Sequence, residues 1–176
     1  MDAVTRDLLL AQDGDDDAFT RVIRLCEADV RRFSSWFSHS RDEIDDVTQE
    51  TFLRAYRGLQ SYRGDSGATS WLLSIARRVC LDFAEKKKKE ESLAKQLRQA
   101  QAMNDDEGHS VEIRHLVAGL PLQFREAFVL VRILGYRYEE AAVVLNCPRG
   151  TVQSRVARAR HLLAQQVTAT EARKTS

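Results

Sequence analysis

Proline and glycine are scarce, with two and eight residues in a chain of 176. So few breakers leave room for long helices, and no run of alternating apolar and polar residues marks a strand. The expected fold class is all-α. Cysteine is sparse as well. Cys26, Cys80 and Cys147 are odd in number, far apart and in no C-x-x-C or nearby Cys/His pattern, which argues against a disulfide framework and a zinc site. Reduced core or turn thiols are expected instead. No apolar run approaches membrane-spanning length and the amino terminus lacks a basic-then-apolar signal, so a cytoplasmic protein without membrane attachment is expected. A catalytic constellation is also missing. The paired carboxylates Asp46 and Glu50 form no catalytic pattern with a histidine, a nucleophile or a glycine-rich phosphate loop, so no enzyme, cofactor or metal is expected.

Net charge is nearly absent too, at +1, but the sum hides an asymmetry. Residues 1–85 hold 11 basic and 16 acidic side chains, residues 86–110 hold 6 and 5, and residues 111–176 hold 10 and 5. An acidic front and a basic rear suggest a protein partner for one end and nucleic acid for the other. The chain is long enough for two small domains. Their expected bounds are 1–85 and 111–176, joined by a charged linker over 86–110.

What is present is clearest from Tyr138 to Leu163. Two short apolar-faced helices flank Asn146-Cys147-Pro148, and proline suits a helix entrance but not an interior. Val152, Val156, Ala159, Leu162 and Leu163 share one face of the second helix. Arg149, Thr151, Gln153, Ser154, Arg155 and Arg158 lie opposite, and no acid occurs between Glu140 and Glu171. A basic amphipathic helix is often only a solvated face. Here the positive surface has no local counter-charge, so a phosphate backbone would neutralise it, and Arg, Gln and Ser can read base edges. The pattern is that of a helix-turn-helix.

In the front half, helices are expected over residues 3–11, about 16–38, Asp42 to Leu59 and Thr69 to Ala84, the second with a core stripe of Phe19, Ile23, Cys26, Val30, Phe33 and Phe37. Asp15, Asp16 and Asp17 read as caps at a helix start rather than as a cation site. In the third helix Val47, Thr51, Phe52, Ala55 and Leu59 form the inner side. Asp46, Gln49, Glu50, Leu53 and Arg57 form the outer one. A leucine among hydrogen-bonding neighbours has the makeup of a small interface. Leu72, Ile75, Ala76, Val79 and Phe83 are the buried side of the fourth helix, with Ser74, Arg77 and Arg78 pointing away. Trp71 at its entrance, beside a loop with Tyr62 and Arg63, reads either as core or as part of an aromatic and cationic platform for unpaired bases. Lys86 to about His109 reads as a partly helical or disordered tract, after which an apolar period returns through Val111, Leu116, Leu120, Phe124, Phe128 and Val131.

DEIDDVTQETFLRAYRGLQSYRG followed by SWLLSIARRVCLDF resembles region 2 of bacterial sigma-70 family sigma factors. LPLQFREAFVLVRILGYRYEEAAVVLNCPRGTVQSRVARARHLL resembles their region 4, and the short length and charged linker resemble the extracytoplasmic-function group. The resemblance implies a promoter-specificity subunit of RNA polymerase. Asp46, Gln49 and Glu50 match the pattern D-x-x-Q-E, whose helix docks on the clamp helices of the largest core subunit, with Leu53 and Arg57 on the same face. The polymerase flap is a further implied contact. The loop Gln60–Thr69 and the helix from Trp71 stand where the family opens and reads the minus-10 element, which implicates Tyr62, Arg63, Trp71, Ser74, Arg77 and Arg78. Arg149, Thr151, Gln153, Ser154, Ala157 and Arg158 match positions facing the minus-35 duplex, and Arg155 and Arg160 serve phosphates or internal pairs. Many relatives are held by an anti-sigma protein. The free protein is expected to be a monomer. Arg78 replaces a common asparagine and Gln153 a common cation, so neither promoter preference transfers. The competing expectation is a stand-alone helix-turn-helix regulator of duplex DNA.

Overall fold

The computed structural model describes residues 1–94 and 111–174, with side chains over 1–91 and 111–169. Among the described residues there are eight α-helices and no strand. The chain divides into two compact units, Met1–Asn104 and Asp105–Ser176.

The first unit contains α1 (Ala3–Gln12), α2 (Asp16–Ser34), α3 (Arg41–Arg57), a 3₁₀ turn (Leu59–Ser61) and α4 (Ala68–Ala94). Each of the first three starts at a side-chain cap. Asp2 accepts from Thr5 N, Asp15 from Ala18 N and Ser40 from Glu43 N, which satisfies amides that a helix start leaves unpaired. Of the Asp15–Asp17 run, Asp15 caps α2, and Asp16 and Asp17 stand in its first turn, where the helix dipole favours acids. Helix α2 packs on α1, α3 and α4. Its buried stripe is Phe19, Cys26, Val30 and Phe33, joined by Val22, which the sequence reading omitted. Phe37 lies beyond the helix end, because α2 stops at Ser34 and not near residue 38, and its ring packs 4.9 Å from Phe33. Burial pushes the Cys26 thiol up to about 11, as expected of a reduced core residue. Val47, Thr51, Phe52, Ala55 and Leu59 are all buried.

Helix α4 runs ten residues past its expected end at Ala84, to Ala94. The lysine run at its end is thus helical. Lys87 Nζ lies 3.8 Å from Glu43 at the start of α3, and Lys86 pairs weakly with Glu90 one turn on, so ion pairs support the extension. The rest of the tract, 95–110, lies outside the described residues.

The second unit contains α5 (Val111–Ala118), α6 (Leu122–Phe128), α7 (Tyr138–Leu145) and α8 (Arg149–Lys174). The single apolar period expected from Val111 to Val131 is broken. Val111 is 63% exposed, whereas Val117, Leu120, Ala127, Val129 and Leu130 are buried. Pro121 divides α5 from α6, and a π-turn at Val129–Ile133 adds a residue to the spiral, with Leu134 N bonded to Val129 O at 2.9 Å. Each break shifts the phase of the inward face. Val152, Val156 and Ala159 of α8 are buried against this unit as expected, and Leu162 and Leu163 are half-buried.

Candidate functional site

Two surfaces collect the candidate residues of the first unit. On α3, Asp46, Gln49, Leu53 and Arg57 are exposed, and Leu53 keeps 44% of its surface. Glu50 behaves differently. It is half-buried, its Oε1 accepts from Arg54 Nε at 2.7 Å, and Arg54 NH1 reaches the carboxylate of Asp82 on α4. Its hydrogen bonds to Glu50 and to Asp82 hold the Arg54 guanidinium above its usual range against the opposing pull of burial. The i,i+4 spacing of Glu50 and Arg54 is visible in the sequence, but Asp82, 28 residues from Arg54, is brought in by the fold.

Beside Gln49 and Leu53, α2 and α3 border a groove of about 420 Å³ whose walls include Phe19, Ile23, Phe52 and Tyr56. Towards one end Tyr56 sets its edge against Phe19, with ring centroids 5.1 Å apart, and donates its hydroxyl to Asp16 Oδ1 at 3.1 Å. Towards the other an ion pair joins Arg31 to Asp45. The sequence reading took Phe19 and Ile23 for plain core and passed over Tyr56, which is 51% exposed. Only the pairing of two helices turns the three into groove walls.

The second surface is the loop between α3 and α4. Tyr62 departs from the expectation of a ring offered to unpaired bases. It is 4% exposed, its ring lies 5.3 Å from that of Trp71, and its hydroxyl donates to Ser66 O at 2.6 Å. The phenol closes the loop from inside, because a buried hydroxyl needs a partner and the loop carbonyl supplies one. Trp71 is half-buried, while Arg63 is exposed at the tip next to Gly64, whose φ of +75° is open to glycine at no steric cost. Along α4, Ser74 Oγ donates to Trp71 O at 2.6 Å and Arg78 Nε to Ser74 O at 3.3 Å, so Arg78 extends from the same face. Arg77 is half-buried.

In the second unit the helix-turn-helix forms by local chemistry. Glu140 Oε2 accepts from Arg137 N at 2.8 Å at the entrance of α7. Partial burial works to raise the Glu140 pKa, but the Arg137 amide and guanidinium outweigh it and hold the carboxyl below its usual value. Asn146 ends α7 in the left-handed region, φ 48°, where asparagine is tolerated best after glycine. On α8, Arg149, Gln153, Ser154, Ala157 and Arg158 are exposed and Thr151 is half-buried. Two arginines have internal partners. Arg149 Nε lies 2.8 Å from Glu139, and the half-buried Arg155 points its NH1 at Cys147 Sγ at 3.8 Å. No group of three or more His, Cys, Asp or Glu side chains able to hold a metal ion occurs among the described residues, and no helix there is long and apolar enough to cross a membrane.

Apart from Asp16 and Phe19 of α2, the residues of these surfaces fall within two family matches. Residues 22–90 match the Sigma-70 region 2 model and residues 110–163 the Sigma-70 region 4 model. The ECF RNA polymerase sigma factor SigC of Mycobacterium tuberculosis is 37% identical over 168 residues, spanning 92% of this chain and 90% of that protein. The ECF RNA polymerase sigma-E factor of Salmonella typhi is 32% identical over 175 residues, spanning 89% and 90%. Among solved structures, the sigma factor RpoE of Bartonella quintana, crystallised with the anti-sigma factor NepR, is similar with a TM-score of 0.71 at 26% identity, covering 85% of this chain and 96% of that one.

Proposed function

The chain belongs to the sigma-70 family of RNA polymerase sigma factors, in the extracytoplasmic-function group, and from that premise we propose how its residues divide the work. As a sigma factor it binds core polymerase and directs promoter-specific initiation through minus-10 and minus-35 elements. The observation that carries the residue assignment is that one chain holds both an exposed Gln49–Leu53 edge on an apolar groove and an acid-free reading face on α8.

The core polymerase clamp docks on α3. Leu53 supplies the apolar centre, Gln49 and Asp46 the hydrogen-bonding rim, and Arg57 a flanking charge. Glu50 both faces the core and anchors Arg54. Tyr62 builds the minus-10 loop from within, while Arg63, Trp71, Ser74, Arg77 and Arg78 face the opened strand. On α8, Gln153, Ser154 and Arg158 read minus-35 base edges, with Thr151, Ala157 and Arg149 beside them and Arg155 bracing the turn. The work is binding and strand separation, with no covalent step, and it takes place in the cytoplasm where polymerase and promoter are. Residues 1–85 form the core-binding and melting part, 86–110 the link and 111–176 the upstream anchor. Control by an anti-sigma protein is in keeping with the complex in which the Bartonella relative was crystallised. A stand-alone helix-turn-helix regulator is the weaker reading, since it leaves the region 2 match over 22–90 without a role.

The test is transcription in vitro by purified core polymerase with this protein over a randomised promoter library. Enrichment of paired minus-10 and minus-35 sequences only when both are present is expected. Tight duplex binding by the free protein, with no effect on core polymerase, would overturn the reading.

A further inference from the structure

Helix α1 lies outside the region 2 match, which begins at residue 22. Its own bonds give it a task. The Gln12 carboxamide nitrogen donates to Leu59 O at 2.8 Å and to Tyr62 O at 2.7 Å. Gln60 returns the contact, its side-chain nitrogen donating to Gln12 O at 3.0 Å. At the far side of the loop, Ala68 N donates to Thr5 Oγ1 at 3.3 Å, while that hydroxyl's own proton goes to Asp2 Oδ2 at 2.8 Å. Thr5 and Gln12 are seven residues apart, which puts them within about 20° on one helix face and about 10 Å apart along the axis. One rigid helix therefore holds both ends of the segment 59–68, and Tyr62 bonded to Ser66 closes it between them.

We propose that α1 is a splint that sets the minus-10 loop in its strand-capturing form before DNA arrives, with Gln12 as its main positioning residue and Thr5 as the second. This rests on the assignment of the loop to the opened strand. A loop held in advance loses less conformational freedom when an unpaired base enters it, so the gain appears in capture of single-stranded DNA. Docking on core polymerase uses the groove and the outer face of α3 and does not draw on these bonds.

The experiment measures, for holoenzyme assembled with purified core polymerase, the affinity for a single-stranded oligonucleotide carrying the non-template minus-10 sequence selected from the promoter library. Permanganate reactivity of unpaired thymines on the linear duplex promoter is followed in parallel. Gln12→Ala should weaken oligonucleotide binding about tenfold and slow duplex opening by a similar factor, with core affinity unchanged. Thr5→Val, which keeps the volume and removes the acceptor, should move the same two readouts in the same direction by a smaller factor. Unchanged oligonucleotide binding in the Gln12→Ala holoenzyme would overturn the splint, as would an equal loss of core affinity in both variants, which would mark a plain folding defect. Failure of the wild-type protein to bind core polymerase would instead sink the proposed function, so the two failures are distinguishable.

Discussion

The two candidate DNA-facing surfaces are built in opposite ways. The candidate minus-10 loop takes its shape from distant partners: α1 holds both ends, Tyr62 turns inward, and Arg54 ties the neighbouring α3 to Asp82 of α4. The α8 face is carried by one helix. Gln153, Ser154, Ala157 and Arg158 stand exposed on it, and its polar bonds stay within the helix-turn-helix, such as Ser154 to Thr151 and Arg149 to Glu139. The physical difference is in what a substitution disturbs. On the proposed reading, a change on α8 should remove one contact with duplex DNA, whereas a change near the loop should alter the placement of groups it never touches.

The largest effect should come from the docking face of α3. Leu53→Asp puts a charge at the apolar centre of an already exposed position, so it should cost about 2–4 kcal/mol of core polymerase affinity and leave the melting temperature unchanged. Competition for core polymerase against a labelled wild-type chain measures it, and equal competition would remove Leu53 from the interface. Arg158→Ala should weaken minus-35 duplex binding by about 1–3 kcal/mol if its contact is bidentate, again without loss of fold. A fall in melting temperature there would break the contrast, because it would show α8 arginines working as structure.

Arg54→Ala sharpens the other side. Its partners Glu50 and Asp82 are 31% and 54% exposed at the side chain, so solvent screening limits the direct loss to about 1 kcal/mol. Weaker core binding and weaker minus-10 strand binding should appear together, since one guanidinium joins the two helices. An effect on only one would show that α3 and α4 are not coupled through it.

Acid provides a control on both units at once. The folded pKa of Asp2 is depressed, chiefly by the Thr5 amide, and that of Glu140 is depressed by Arg137 against the opposing pull of burial. A depressed carboxylate contributes stability above its unfolded pKa and loses it as pH falls through the folded value. Stability should therefore decline below the ordinary values of 3.8 and 4.5, at α1 for Asp2 and at α7 for Glu140. Asp2→Asn, which keeps a capping oxygen, should flatten the first decline, and amide hydrogen exchange along α1 reads it. The smallest effect belongs to Glu139→Gln. It releases Arg149 from an exposed pair worth less than about 0.5 kcal/mol and should tighten minus-35 binding slightly. A loss of binding would mean that Glu139 aims the arginine.

Much of the site was legible from local pattern. The inner sides of α3 and α8 and the helix-turn-helix follow from spacing, because an amphipathic helix shows its buried face by period alone. The same rule misplaced Val111, since Pro121 and the π-turn reset the phase twice before Leu134. It also ended α4 at Ala84, because a lysine run reads as solvated tract until Glu43 is seen beside Lys87.

By itself the sequence determined the all-α class, the two family motifs in order, the capped start of α2 and the open α8 face. All of these depend on contacts within about four residues or on one helix's own wheel. The tertiary structure alone decided that Phe19, Ile23 and Tyr56 wall a groove, that Tyr62 turns inward, that Arg54 joins α3 to α4 and that Gln12 holds a loop some fifty residues away. Those pairings come from helices packing side by side, and chain-distant donors and acceptors leave no periodic trace in the order of residues.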